Sequence, residues 1–244
     1  MLPVILGCGK RGVTAAADPI LALAPSLYMS ASSIHYRDTA RTQVATAGDT
    51  LGSLTNSADP TNNWQQGTPS KRPALVANSL GSLPGFEFDG VDDISSLTSE
   101  YSFAAYEWMW SLVIRTGIAT DTVPIAGSSD YCYLHYDLIS GGVSSYLLLL
   151  SGGTATPLPE RDIWFTLDAR RSGIMQATTF SLNGTDFSTN GTGTGNIKFL
   201  DIGGWAVGGG YNAKIKTRRF VAWSAPLSAG DRAIARAAMN EGIY

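Results

Sequence analysis

Between residues 107 and 224 the chain is a succession of short runs rich in aromatic and β-branched residues, each bounded by Gly, Pro, Asn or Ser, and that punctuation leaves room for strands and little else. The runs are EWMWSLVIR (107–115), TVPIAGS (122–128), YCYLHYDL (131–138), SSYLLLL (144–150), DIWFTLDARR (162–171), QATTFSLN (176–183), IKFLDIG (197–203) and IKTRRFVAWS (215–224). Such side chains fit a pleated, half-buried surface, and the breaks between them set turns. PSLYMSASS (25–33) adds an earlier strand in which Leu27 and Met29 alternate with Tyr28 and Ser30. A total of about ten strands at this spacing predicts two antiparallel sheets packed face to face.

The stretch LPGFEFDGVDD (83–93) carries the clearest alternation: Phe86, Phe88 and Val91 are expected on a core face, Glu87 and Asp89 on the opposite one. Residues 37–71 are polar and small, with the dense turn signals of TNSADPTNNWQQGTPSKRP, and Trp64 is expected to pin this excursion to the body. A helix is predicted at the end of the chain. Ser228 stands three residues before Asp231 in a capping arrangement, and Ile234, Ala237 and Ala238 form a small apolar stripe. All-β sandwiches of 244 residues commonly form one unit, and no linker or internal repeat divides this one.

Four segments resemble a known family in its own order. RPAL (72–75) followed by F-x-FDGVDD (86–93) resembles the opening of a LamG-like, concanavalin A-like lectin/glucanase jelly roll. FSLNGT (180–185) resembles that family's strand ending in an N-G turn, and LDIGGW (200–205) its late strand. KTRRFVAWSAPLSAGDRAIARAA (216–238) resembles its closing strand, turn and short helix. The resemblance runs from about residue 70 to the end; at the first strand the family's usual W-L-D-A is replaced by Tyr28, Met29, Ser30 and Ala31, so an acidic residue is missing there.

Residues 1–25, a short apolar run followed by GCGKRG and AAADPILALAP, do not resemble the start of a sandwich and are read as an N-terminal arm, ahead of a jelly-roll domain (residues 26–244) that ends in the short C-terminal helix. Domains of this kind serve as sugar-binding or adhesion modules and are frequent in bacteriophage structural proteins. The expectation is a non-enzymatic virion component, a capsid decoration or tail-associated adhesion protein assembled in the host cytoplasm. Its partners would be other virion proteins, copies of itself, with a trimer the usual arrangement, and a cell-surface glycan. A stand-alone carbohydrate-binding lectin and a glycoside hydrolase are the alternatives.

Candidate chemistry concentrates in the carboxylates Glu87, Asp89, Asp92 and Asp93. Jelly-roll glycosidases set an E-x-D-x-x-E pattern along one strand so that two carboxyl groups lie about 5 Å apart. Glu87 and Asp89 fill the first two places, but Gly90 interrupts the strand and Asp is shorter than Glu, so a corner stabilised by Asp92 and Asp93 accepting backbone N–H groups is expected instead. No catalytic residue and no cofactor is assigned. Asp89, Asp92 and Asp93 are the candidate metal ligands, with calcium the cation that hard oxygen donors and the family resemblance admit. For a sugar, Trp205 and Tyr211 flank the Gly-rich GGWAVGGG segment as a shallow rim, and Tyr133 and His135 share one strand face that suits either packing or ring stacking.

Several classes are excluded. A net charge of -3 and no basic run longer than KTRR (216–219) leave no footprint for a phosphate backbone. Charged residues are 15% of the chain against about 25% in an average domain, which suits a surface partly covered by neighbours or facing neutral sugars. MLPVILGC lacks the basic region of a signal peptide, and no apolar window reaches the ~18 residues of a membrane span. Cys8 and Cys132, far apart in sequence, are read as free thiols. The Gly clusters are turns, not phosphate loops, and the sequons at Asn183 and Asn190 have meaning only in a eukaryotic secretory setting.

Overall fold

The computed structural model describes residues 17–103, 107–117, 122–126, 133–139, 143–149, 154–157, 162–173, 178–188, 198–205 and 211–243, with the segments between 122 and 157 and residues 187, 188, 205 and 211 described by backbone alone. Cys8 and Cys132 lie outside the described residues. In chain order the strands are β1 (Leu27–Ser30), β2 (Ser53–Leu54), β3 (Trp64–Gln65), β4 (Ala74–Leu80), β5 (Leu83–Asp89), β6 (Ser95–Ser102), β7 (Glu107–Thr116), β8 (Thr122–Ala126) and β9 (Tyr133–Ile139). They continue with β10 (Val143–Leu149), β11 (Thr154–Pro157), β12 (Trp164–Ser172), β13 (Thr179–Leu182), β14 (Thr185–Ser188), β15 (Lys198–Ile202), β16 (Gly204–Trp205), β17 (Tyr211–Asn212) and β18 (Lys214–Trp223), and the chain closes with helix α1 (Ala229–Met239).

These form two antiparallel sheets, as the strand spacing predicts. One runs β14-β13-β12-β7-β18-β5-β4, the other β11-β10-β9-β8-β15-β6-β3-β2, and β16 and β17 make a separate ribbon. Strand β18 holds the first sheet together. One edge pairs with β7, while the other pairs first with β5 through residues 214–217 and then with β1 through residues 219–222. The turn-rich excursion before β4 supplies the short strands β2 and β3, and Trp64 is buried there as expected, edge-on to Phe220.

Strand β7 shows why EWMWSLVIR reads as nearly continuous apolar sequence. Trp108, Trp110, Leu112 and Ile114 face the space between the sheets, with Phe86, Phe88, Leu167 and Phe220. Met109 and Val113 point the other way, into a second cluster with Tyr28, Val221 and Trp223 that Ala235 and Met239 of α1 cover. A strand buried on both faces loses the polar half of its alternation. Ile20 joins this outer cluster, Asp18 accepts the Tyr28 hydroxyl at 2.7 Å, and Trp223 Nε1 donates to the Leu23 carbonyl at 3.1 Å. Of the expected arm, residues 1–16 lie outside the described ones and Asp18 to Ala24 rest on the sheet.

Two side-chain expectations need correction. Phe86 and Phe88 are fully buried, but Val91 is 72% exposed: β5 ends at Asp89, and Gly90, in the left-handed conformation (φ 79°), turns the chain away without the one-residue shift that would bring Val91 to the core face. In α1, Ser228 caps the Asp231 N–H as predicted, yet the buried residues are Ala235 and Met239 while Ile234 is 48% exposed. The face that meets the sheet is fixed by ionic anchors on Arg236 and Glu241, and those turn Ile234 toward solvent.

Candidate functional site

At the end of β5 the chain folds into a closed acidic corner. Asp89 Oδ1 accepts the N–H groups of Val91 (2.7 Å), Asp92 (3.3 Å) and Asp93 (3.4 Å), and Asp93 Oδ2 accepts the N–H of Asp89 at 3.0 Å. The acceptors are therefore Asp89 and Asp93, where Asp92 and Asp93 were expected. Burial, reinforced by the charges of Asp89, Asp92 and Glu87 and opposed by the Asp89 N–H, pushes the Asp93 carboxyl up to about 6.

The three aspartates can each bring one oxygen within 4.8 Å of the others. They are hard donors of the kind calcium takes, but calcium takes about six to eight oxygens, and two of those offered already accept backbone N–H groups. The corner is accounted for as a hydrogen-bonded turn.

Neighbouring elements are tied to it. Asn212 of β17 donates to the Val91 carbonyl, and Lys214 at the start of β18 stands opposite Asp89 in the β5–β18 register. In the β16–β17 ribbon Trp205 is the cross-strand partner of Tyr211, and Gly204 of Asn212. The backbone thus brings Asp89, Asp92, Asp93, Trp205 and Tyr211 to one end of the sandwich. Tyr133 and His135 are placed elsewhere, on β9 in the second sheet, opposite Leu149 and Leu147 of β10. The side chains of Trp205, Tyr211, Tyr133 and His135 lie outside the described residues.

Beside the acidic corner is a feature the sequence did not single out: a small open cleft lined by Glu87, Phe88, Arg115, Gly117, Asp162, Lys214, Ile215 and Lys216. Two ion pairs cross it. Lys216 Nζ lies 3.2 Å from Glu87 Oε2, and Arg115 Nη2 lies 3.4 Å from Asp162 Oδ1. Lys214 and Lys216 alternate with the buried Ile215, a pattern that in hindsight marks a charged sheet face.

A different role falls to His35, which belongs to no motif. It is 1% exposed, edge-on to Phe86, and burial holds its pKa down at about 4.

No family model matches the chain, and no curated protein matches it. Solved structures match at the level of fold. The botulinum neurotoxin serotype D binding domain is 13% identical, with 90% of this chain and 52% of that one covered at a TM-score of 0.56. The sialidase of Trypanosoma rangeli, in complex with 2,3-difluoro-KDN, is 14% identical, with 98% of this chain and 36% of that one covered at a TM-score of 0.59. The fold is a concanavalin A-like jelly roll. The jelly roll spans about half the length of the toxin domain and little more than a third of the sialidase, so the likeness concerns architecture alone.

Proposed function

We propose that this jelly roll is a non-catalytic, lectin-like adhesion module that binds glycans, and that it works as a self-associating component of a phage virion, a capsid decoration or tail-associated protein. The observation that carries the glycan reading is the fold likeness to binding modules: the serotype D neurotoxin domain has been solved with N-acetylneuraminic acid, at 14% identity, 88% coverage of this chain and a TM-score of 0.56. The virion setting rests on the family resemblance of the FDGVDD, FSLNGT and LDIGGW segments.

What supports a non-catalytic role is the use made of the carboxylates. A glycosidase needs an acid and a nucleophile poised toward the sugar. Here Glu87 is paired with Lys216, while Asp89 and Asp93 accept backbone N–H groups in their turn.

Glycan-array binding tests the reading. Binding that is lost in Trp205→Ala or Tyr211→Ala, with the melting temperature unchanged, is the expected result. Release of sugar from a polysaccharide panel, abolished by Glu87→Gln, would overturn it in favour of a hydrolase. For the assembled state, light scattering should give a trimer or larger species that falls to monomer on deletion of residues 1–17; a full-length monomer would remove the virion reading.

A further inference from the structure

Among the described residues, the charged cleft beside the acidic corner contains one cation without a partner. Lys216 and Arg115 are paired with Glu87 and Asp162, but the Lys214 ammonium has no hydrogen-bond or ion-pair partner among the described residues. Arg115 is only partly satisfied: among the described residues its one ion pair is the 3.4 Å contact with Asp162, and its Nε is buried without a partner there. Asp89 stands opposite Lys214 on the neighbouring strand, yet its Oδ1 is taken up by the backbone of its own turn.

The stem of Lys214 is held in place. A Cβ at Gly90 would come within 2.6 Å of Lys214 Cβ, and a Cβ at Gly117 within 2.9 Å of Lys214 Cγ. Two glycines, one from the β5 corner and one following β7, thus make the slot in which this side chain lies. Fixing the first carbons of a lysine removes part of the rotamer entropy that a freely swinging surface lysine would lose on binding. The result is an exposed ammonium on a stem packed as far as Cδ, lining the same cleft as the Arg115 guanidinium and next to the ribbon that carries Trp205 and Tyr211.

We propose that this cleft is an anion subsite in which Lys214 and Arg115 take the carboxylate or sulfate of an acidic sugar. Both groups are planar or compact oxyanions that a guanidinium fork and an ammonium recognise through charge-assisted hydrogen bonds. The inference deepens the glycan-binding reading and rests on it for the sugar, while the anion itself can be tested alone.

Binding of a uronic-acid oligosaccharide, a sulfated oligosaccharide and their neutral counterpart should be compared by calorimetry for the intact chain, Lys214→Gln and Arg115→Gln, with melting temperatures recorded. The expected result is a loss of about tenfold in affinity for one acidic ligand in each variant and no change for the neutral one. Which acidic ligand responds separates carboxylate from sulfate. Acidic binding that survives Lys214→Gln unchanged would overturn the anion subsite and leave the lectin reading standing. If no oligosaccharide binds, titration with acetate and sulfate, read on the Lys214 ammonium by NMR, decides the site: a saturable shift absent in Arg115→Gln supports it, and no shift overturns it.

Discussion

His35 Nε2 lies 2.9 Å from the carbonyl oxygen of Ser30, and the opposite ring nitrogen, Nδ1, receives the Thr55 N–H at 3.1 Å. A backbone N–H can only donate, so Nδ1 is the acceptor and the proton of the neutral ring sits on Nε2. Both nitrogens are satisfied in one tautomer and one charge state, and the imidazolium form would set an N–H against the N–H of Thr55.

That arrangement predicts acid sensitivity. Burial lowers the His35 pKa from 6.5 to about 4, so between these values the unfolded chain binds a proton that the folded chain refuses. The contribution is fully present above pH 6.5 and is lost as pH falls through about 4, a total of roughly 3 kcal/mol. Urea denaturation at pH 7 and pH 4.5 should show the loss, and His35→Asn should be less stable at pH 7 but flatter across the range. An equal slope in both proteins would assign the acid sensitivity to another group.

Asp93 runs in the opposite direction. Its carboxyl is raised to about 6, so its contribution is complete below the unfolded value of 3.8 and is lost as pH rises through about 6. Asp93→Asn keeps an oxygen to accept the Asp89 N–H and removes the charge that faces Asp89, Asp92 and Glu87. The variant should melt on the order of 2–4 °C above the parent at pH 8, by less at pH 5, and no higher at pH 3.5, below the unfolded value. A gain as large at pH 3.5 as at pH 8 would mean that amide packing, not charge, is responsible.

Much of the strand order was legible because strand signals are local: β-branched and aromatic runs broken by Gly, Pro and Asn set β7, β12 and β18 within a residue or two of their ends. The side-chain faces were less legible where tertiary partners decide them. Val91 could rejoin the face of Phe86 and Phe88 only through a one-residue shift at Gly90, and Gly90 instead turns the chain out of the strand. In α1 nothing local distinguishes the Ile234 side from the Ala235 and Met239 side; the anchors are distant in sequence, Asp168 and Asp186 for Arg236 and the arginines of β18 for Glu241. The Lys214 cleft was illegible for the same reason, being assembled from β5, β7, β18 and the turn at Asp162, four segments with no common motif.

Phe88 and Gly203 are a packed pair. A Cβ on Gly203 would fall 2.0 Å from Phe88 Cδ1, and Gly203 also holds φ at 86°, where a side chain is strained. Phe88→Ala should cost ~3–5 kcal/mol as a core truncation, and Gly203→Ala should be of comparable severity through overpacking and backbone strain. In the double variant the truncated ring admits the methyl group, so the two costs should fall short of their sum. Glu87→Ala, on the opposite face with its carboxylate 41% exposed and paired to Lys216, should cost at most about 1 kcal/mol. Full additivity at Phe88 and Gly203 would deny the contact.

The helix α1 is fastened to the first sheet by Arg236, whose Nη2 donates to Asp186 Oδ1 and Ser181 Oγ, each at 2.8 Å, and whose Nε faces Asp168 Oδ2 at 3.5 Å. Asp168 is 2% exposed, lies opposite Ser111 across the β7–β12 register, and has its carboxyl pushed up by burial. Asp186, by contrast, is held well below the usual carboxylate range by Arg170, with Ser181 and Arg236 adding to the effect. The two acids therefore respond differently to loss of the guanidinium: Asp186 keeps Arg170 and water, whereas Asp168 loses its nearest cation. Arg236→Ala should cost ~3–5 kcal/mol, mostly as the penalty of an unpaired buried charge. Adding Asp168→Asn should return more than half of that loss, while adding Asp186→Asn should not. Lowering the pH toward 5 should narrow the gap between Arg236→Ala and the parent, because a raised carboxyl pKa costs stability as pH climbs through it and relieves that cost as pH falls. A gap that holds constant with pH would place the loss in helix packing at Ala235 and Met239 instead.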